Sequence, residues 1–244
     1  NLNLKTHKEF AEPNKNHKNL NGKKKEKDFG KTLNMFYSHP LGILYLAGVA
    51  ESCGFNVEIL DLQKNFCEMI WDKNIKHESV QSFLYDEIEK KILRYNPALI
   101  SISCLFSMAS EVAHDVAAFV KKIDTNSKVL MGGGYPTNST KETLLDRNVD
   151  VAIIGEGENA FKEIICTLDE YSPENYFHNS AIATRKSLDK GIKPRGDKIE
   201  DLDNLPYPAW DLLNNPLGYM TGASRTKSDN HKEMLLSKRK VHGS

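Results

Sequence analysis

The sequence predicts an α/β domain built on a parallel sheet. Three observations predict it: helix-like and strand-like segments alternate from residue 41 onward, turn residues bound each one, and several strand-like stretches run straight into turns rich in glycine or serine. Leu41 to Cys53 reads as a helix closed by Gly54, the residue type that normally ends one in a left-handed conformation. Phe55 to Leu62 reads as a strand. A longer helix is expected over about residues 77 to 95, ended by Asn96-Pro97 because a residue before proline resists the helical conformation. Ala98 to Leu105 is apolar on both faces apart from small serines, as in a strand covered by helices on either side, and is expected at the centre of the sheet.

Met108 to Ile123 follows as a helix with Ser107 placed to cap it, and Lys128 to Met131 as a strand entering Gly132-Gly133-Gly134. A helix is expected over about residues 139 to 147. Val149 to Ile154 is then a strand meeting Gly155-Glu156-Gly157-Glu158, and Asn159 to Glu170 the last helix of the series. Past residue 171 the periodicity is lost, and Ala181 to Pro208 reads as a short hairpin followed by an irregular linker with three prolines. Three regions result: a basic segment over 1–36 that includes a remnant of a first strand at Asn1 to Lys5, a sheet domain over 37–172, and a hairpin and linker region over 173–244.

The chain of 244 residues is 39% hydrophobic, enough apolar material for a sizeable core. Its 33 basic and 33 acidic side chains cancel, so there is no global electrostatic reason to expect a nucleic-acid or anionic-membrane partner. Locally, residues 1 to 31 hold nine lysines and four acidic residues with few apolar ones, the composition of a solvated segment. No run approaches the roughly 18 apolar residues needed to cross a bilayer. Cys53, Cys67, Cys104 and Cys166 are scattered, which excludes a local CxxC pattern and offers no disulfide framework; a reducing cytoplasm is the expected setting.

In an open parallel sheet, ligands bind beyond the carboxyl ends of the strands, where turns and helix amino termini expose backbone N–H groups. Three turns therefore stand out: Ser103-Cys104-Leu105-Phe106-Ser107, Gly132-Gly133-Gly134-Tyr135-Pro136-Thr137, and Gly155-Glu156-Gly157-Glu158. The triple glycine removes side chains where a bulky ligand would approach the backbone; a strand-to-helix connection that requires positive φ would demand the same residues, and both readings stand. Neither GxGxxG nor GxxxxGK[ST] is present. The two carboxylates at 156 and 158 suit a helix amino terminus. His39, before Pro40 and Leu41 at the entrance to the first helix, lies at the ligand edge if residues 1 to 5 supply the first strand. His114 reads as a surface or supporting residue, and Cys104 as a small core residue rather than a nucleophile. No catalytic residue and no metal ligand set is expected.

Pro40 to Asp61, Pro97 to Ser107, Val129 to Thr137, Val149 to Glu158 and Ile199 to Leu213, taken together, resemble the cobalamin-binding domain that precedes the barrel of cobalamin-dependent, class B radical S-adenosylmethionine enzymes. The resemblance covers about residues 40 to 213. It implies a flavodoxin-like, Rossmann-like, doubly wound parallel sheet of five strands in the order 2-1-3-4-5, with the corrin ring on the carboxyl edge. It also implies the cofactor-binding residues: His39, Pro40 and Leu41; Ser103 to Ser107 beneath the ring or along the nucleotide tail; Gly132 to Thr137 near the dimethylbenzimidazole end; and Gly155, Glu156 and Gly157 closing the far side.

Two departures from the family pattern accompany the likeness. A DxHxxG motif that would give cobalt a histidine is absent, since Asp61-Leu62-Gln63-Lys64 has none. The CxxxCxxC triad that would hold an iron-sulfur cluster is also absent, so the cluster and S-adenosylmethionine are expected only in a full-length form, with this chain truncated before the barrel and a separate or missing barrel as partner. The implied function is cobalamin binding by part of an enzyme of methyltransferase type. The alternative is a flavodoxin-like regulatory or interaction module that binds no cobalamin.

Overall fold

The computed structural model describes residues 38–71, 80–213 and Tyr219. The proposed strand at residues 1 to 5 and the basic stretches at both ends lie outside the described residues. Among the described residues, four strands form one sheet in the order β1 (Leu99–Ser103), β2 (Lys128–Gly132), β3 (Val151–Ile153), β4 (Ile182–Ala183). The first three are parallel, with Ser103 beside Gly132 and Met131 beside Ala152; β4 is antiparallel to β3. Three strands therefore end at the same rim.

Successive side chains of a strand face opposite ways, and the core divides accordingly. Val129, Met131 and Ala152 face one layer with Ile88 and Ile92 of α3 (Val80–Tyr95) and with Ala113, Val116, Ala117 and Val120 of α4 (Ser110–Ile123). Leu130, Val151 and Ile153 face the other, with Val49 and Ala50 of α1 (Leu41–Ser52) and with Ala160, Phe161, Ile164 and Ile165 of α7 (Glu158–Cys166). Each of the larger side chains buried here contributes about 1.5–3 kcal/mol, and helices on both faces are what make near-continuous apolar strands stable. Between β2 and β3 lie two short helices, α5 (Gly134–Asn138) and α6 (Thr140–Leu145). Among the described residues, no helix is long and apolar enough to cross a membrane.

Several expectations need correction. Phe55 to Asp61 has no strand ladder, because no described strand lies beside it; Val57 and Leu60 are extended and half-buried against the two core layers. Helix α2 (Leu62–Trp71) follows it, beginning at the residue where the expected strand would have ended. Asp61 starts this helix, its carboxylate accepting from the Lys64 N–H at 2.9 Å as an N-cap does. Strand β1 stands at the edge of the described sheet, with Ser101 and Ser103 exposed, and not at its centre. Ser107 does not cap α4 with its side chain; a 3₁₀ turn over Ser107–Ala109 intervenes, and the Ser110 hydroxyl donates to the Ser107 carbonyl instead.

The expected hairpin after Ala181 is a single short strand paired back onto β3, followed by α8 (Arg185–Asp189). A capping box between Thr184 and Ser187 starts α8, a signal the unpatterned sequence concealed. The linker then crosses to the α1 side. The Ala209 N–H donates to the Leu44 carbonyl at 3.0 Å, and the Tyr207 carbonyl approaches Gly48 too closely for any side chain at that position.

Candidate functional site

The three parallel strands bring the three turns together at one rim. Cys104 N–H donates to the Gly132 carbonyl at 2.9 Å, and Tyr135 N–H to the Cys104 carbonyl at 3.0 Å, so the first turn is clamped to the second. The Thr137 hydroxyl donates to the Gly133 carbonyl at 2.8 Å and accepts from the Gly155 N–H at 3.0 Å, which joins the second turn to the third. Gly155 bridges to Asp197, and the Glu156 carboxylate accepts from the Ile199 N–H, so the linker forms the rim's far wall. Backbone groups make most of this surface.

The three glycines differ. Gly133 has φ +107°, and a Cβ there would lie 2.7 Å from the Cys104 carbonyl oxygen; a Cβ on Gly134 would collide with the Leu105 carbonyl. Both are explained by the close approach of the neighbouring turn. A Cβ on Gly132 would meet nothing closer than Ile153 at 4.0 Å, so of the three only this position admits a side chain's first atom without a clash.

Beside the glycines, Leu105, Phe106 and Met108 stand on the β1–α4 loop with 62%, 67% and 91% of their surfaces exposed. Three large apolar side chains on one short loop form a platform that water alone does not favour. Cys104 is buried beneath it, its thiol donating to the Phe106 carbonyl at 3.5 Å, and burial pushes that thiol upward in pKa. It is a poor nucleophile there. At the first turn of α7, Glu158 has one buried carboxylate oxygen with no partner among the described residues.

Helix α1 shares this rim's end of the molecule: Leu46 packs 3.7 Å from where a Gly157 Cβ would be, and Cys53 at the other end of α1 meets Cys166 at the other end of α7. Its first turn holds Pro40 and Leu41, with Leu41 N–H bonded to the His39 carbonyl at 2.8 Å. The His39 ring stacks on Tyr219 at 5.0 Å and meets the edge of Trp210 at 5.5 Å. The Tyr219 hydroxyl donates to Asp61 at 2.8 Å. His39 thus faces the linker side, while Ser103 to Ser107, Gly132 to Thr137 and Gly155 to Gly157 form a single bonded group.

Residues 35–165, which contain all three turns, match the B12 binding domain family. The chain belongs to that family. Two curated relatives are similar to it. The cytidylyl-2-hydroxyethylphosphonate methyltransferase of Streptomyces wedmorensis is 26% identical over 200 residues, covering 72% of this chain and 37% of the relative. An uncharacterized methyltransferase of Pyrococcus horikoshii is 25% identical over 181 residues, covering 71% of this chain and 34% of the relative. The chain thus spans about a third of the length of these relatives. No solved structure matches it.

Sequence reasoning passed over three features of this B12-binding domain. Met108 reads in the sequence as the first residue of a helix, although an apolar residue directly after a serine-bounded turn is a usable signal of an exposed apolar surface. The bare carboxylate oxygen of Glu158 has no signal in sequence, since it depends on which donors fail to arrive. Nor has the pairing of Tyr135 with His114, which are 21 positions apart.

Proposed function

We propose that the rim formed by Ser103 to Ser107, Gly132 to Thr137 and Gly155 to Gly157, with His39, Pro40 and Leu41 at its α1 side, is a cobalamin berth, and that the chain is the cofactor-binding portion of a cytoplasmic, class B radical S-adenosylmethionine methyltransferase. The observation that carries the berth is the exposed Leu105, Phe106 and Met108 platform beside Gly132, where a Cβ meets no clash, inside the stretch that matches the B12 binding domain family. The residues fit such a ligand in kind. The platform offers apolar surface to a flat macrocycle, the Ser103 and Ser107 hydroxyls offer partners for its peripheral amides, and the turns offer backbone contact. When bound, cobalamin would supply the cobalt centre that carries a methyl group; the protein's part is to bind, orient and shield it. The methyltransferase names of the two relatives support methyl transfer by the whole protein. In the full-length form, an iron-sulfur cluster and S-adenosylmethionine would belong to the barrel, and the five-stranded order 2-1-3-4-5 would need a first strand next to β1.

One observation favours a second reading. Gly133 and Gly134 are accounted for by contact with Cys104 and Leu105, without any ligand, as a module that binds no cobalamin would also require. The discriminating variant is therefore at Gly132 and not at Gly133, where a side chain would damage the turn itself. Purified chain is mixed with hydroxocobalamin and desalted, and its visible spectrum is recorded. Retained corrin absorbance that Gly132→Leu abolishes, with the fold intact by circular dichroism, supports the berth. A colourless wild-type protein rejects it in favour of the second reading.

A further inference from the structure

Tyr135 belongs to the middle turn of the rim, yet its ring points away from that surface and is buried in the layer shared with α4. There the Tyr135 hydroxyl lies 3.1 Å from Nε2 of His114, and the two rings meet edge to face at 5.8 Å. Nδ1 of the same imidazole lies 2.8 Å from Oδ2 of Asp146. An ionised carboxylate only accepts, so Nδ1 carries a proton and donates to it; in the neutral imidazole Nε2 is then the acceptor for the tyrosine O–H. All three polar groups are satisfied in one direction. Asp146 is itself held. Its other oxygen accepts from Asn148 N–H at 2.9 Å and from the Asn148 side chain at 2.8 Å, while its carbonyl accepts from Arg185 of α8 at 3.1 Å.

At the far end of this line, Tyr135 N–H binds the Cys104 carbonyl, the atom that a Cβ on Gly133 would strike. The side chain of Tyr135 therefore decides how closely two rim turns approach, and His114 decides where that side chain sits. We propose that His114, oriented by Asp146, is a positioning residue for the rim: through the Tyr135 hydroxyl it holds Gly132 to Thr137 against Cys104 and Leu105 in the geometry that receives the ligand. This deepens the cobalamin reading and rests on it for the identity of that ligand. A line of hydrogen bonds that only stabilised the core would not need to end on the turn that builds the rim.

The test uses wild-type chain, Tyr135→Phe, His114→Ala, the double variant and His114→Gln, with two readouts. The first is amide hydrogen exchange without ligand. Tyr135→Phe and His114→Ala are each expected to speed exchange at Cys104, Tyr135 and Thr137 about three- to tenfold, the range for losing one hydrogen bond, while Lys128 and Val129 at the other end of β2 keep their wild-type rates. The double variant should be no worse than the more affected single one, because both remove the same bond. His114→Gln, whose amide oxygen can accept from the tyrosine hydroxyl, should recover most of the protection. The second readout is the Kd for hydroxocobalamin, expected to rise by a similar factor in Tyr135→Phe and His114→Ala. Uniformly faster exchange along β2, additive effects in the double variant, or an unchanged Kd beside a loosened turn would each overturn the proposal. A wild-type chain that retains no corrin would reject the cobalamin reading, and the exchange pattern alone would then decide whether the line through His114 holds the rim.

Discussion

The two ends of the parallel strands are built on opposite principles. At the amino-terminal end, polar groups close on one another: Lys121 donates to the Ser127 carbonyl and to Asp150, both at 2.7 Å, and the same Asp150 oxygen accepts from the Val129 N–H at 2.8 Å. Ser127 is 1% exposed, its hydroxyl between the Pro97 carbonyl and the Asp124 carboxylate. At the carboxyl end, the turns bond to each other through backbone groups but leave Leu105, Phe106 and Met108 in water and one Glu158 oxygen bare. The amino-terminal end pairs its polar groups with one another beside a cleft of about 320 Å³ lined by Pro97, Asp124, Ser127 and Leu168. The carboxyl end leaves large apolar side chains in water at the surface proposed above as the cobalamin berth.

The largest test of this contrast is Gly133→Val. A branched side chain at φ +107°, driven into the Cys104 carbonyl, should cost about 3 kcal/mol or more and separate the two turns, so urea denaturation should show a much lower midpoint and corrin should no longer be retained. Next is Asp150→Ala at the closed end. It leaves the largely buried Lys121 ammonium without its carboxylate and Val129 N–H without its acceptor, and should cost about 2–3 kcal/mol. Below its lowered melting temperature the variant should still retain hydroxocobalamin like the wild type; loss of binding there would erase the distinction between the ends.

Phe106→Ser should do the reverse. The ring is two-thirds exposed, so stability should stay within about 0.5 kcal/mol, while hydroxocobalamin affinity falls about tenfold in an equilibrium titration. The smallest effect concerns neither end. Hydrogen bonds from Lys186 and then from Ser172 hold the exposed Glu174 carboxyl at about 2, below its ordinary 4.5. Its contribution to stability is present above the ordinary value and is lost as pH falls toward 2. Wild type and Glu174→Gln should therefore differ slightly in melting temperature at pH 6 and converge near pH 2.

Much of the fold was legible because it is local. Helix α1 ends at Ser52 with Gly54 at φ +85°, and α3 ends at Tyr95 before Asn96-Pro97, where turn residues said they would. Strands β1 and β3 fall within the apolar runs named for them, and β2 runs one residue past its own to Gly132. What escaped was set by partners. Phe55 to Asp61 has strand composition, but a strand exists only beside another, and Asp61 was free to cap a helix. Gly134 to Asn138 looked like a loop, yet it coils once the Tyr135 side chain is anchored at His114. In the rim, the three turns were legible as turns, and which glycine of Gly132 to Gly134 would take a side chain without a clash was not.

The order of apolar, small and turn-forming residues thus determined on its own that this chain alternates helices with parallel strands and ends those strands in three glycine- or serine-rich turns. These are consequences of backbone preference and of side-chain periodicity within a few residues. The tertiary structure alone decided that Gly133 and Gly134 serve contact with Cys104 and Leu105, that a Cβ on Gly132 would meet no clash, that His39 turns toward Tyr219 and Trp210, and that Asp146 reaches the rim through His114. Those outcomes depend on atoms brought together from positions 20 to 180 residues apart, and no local preference carries that distance.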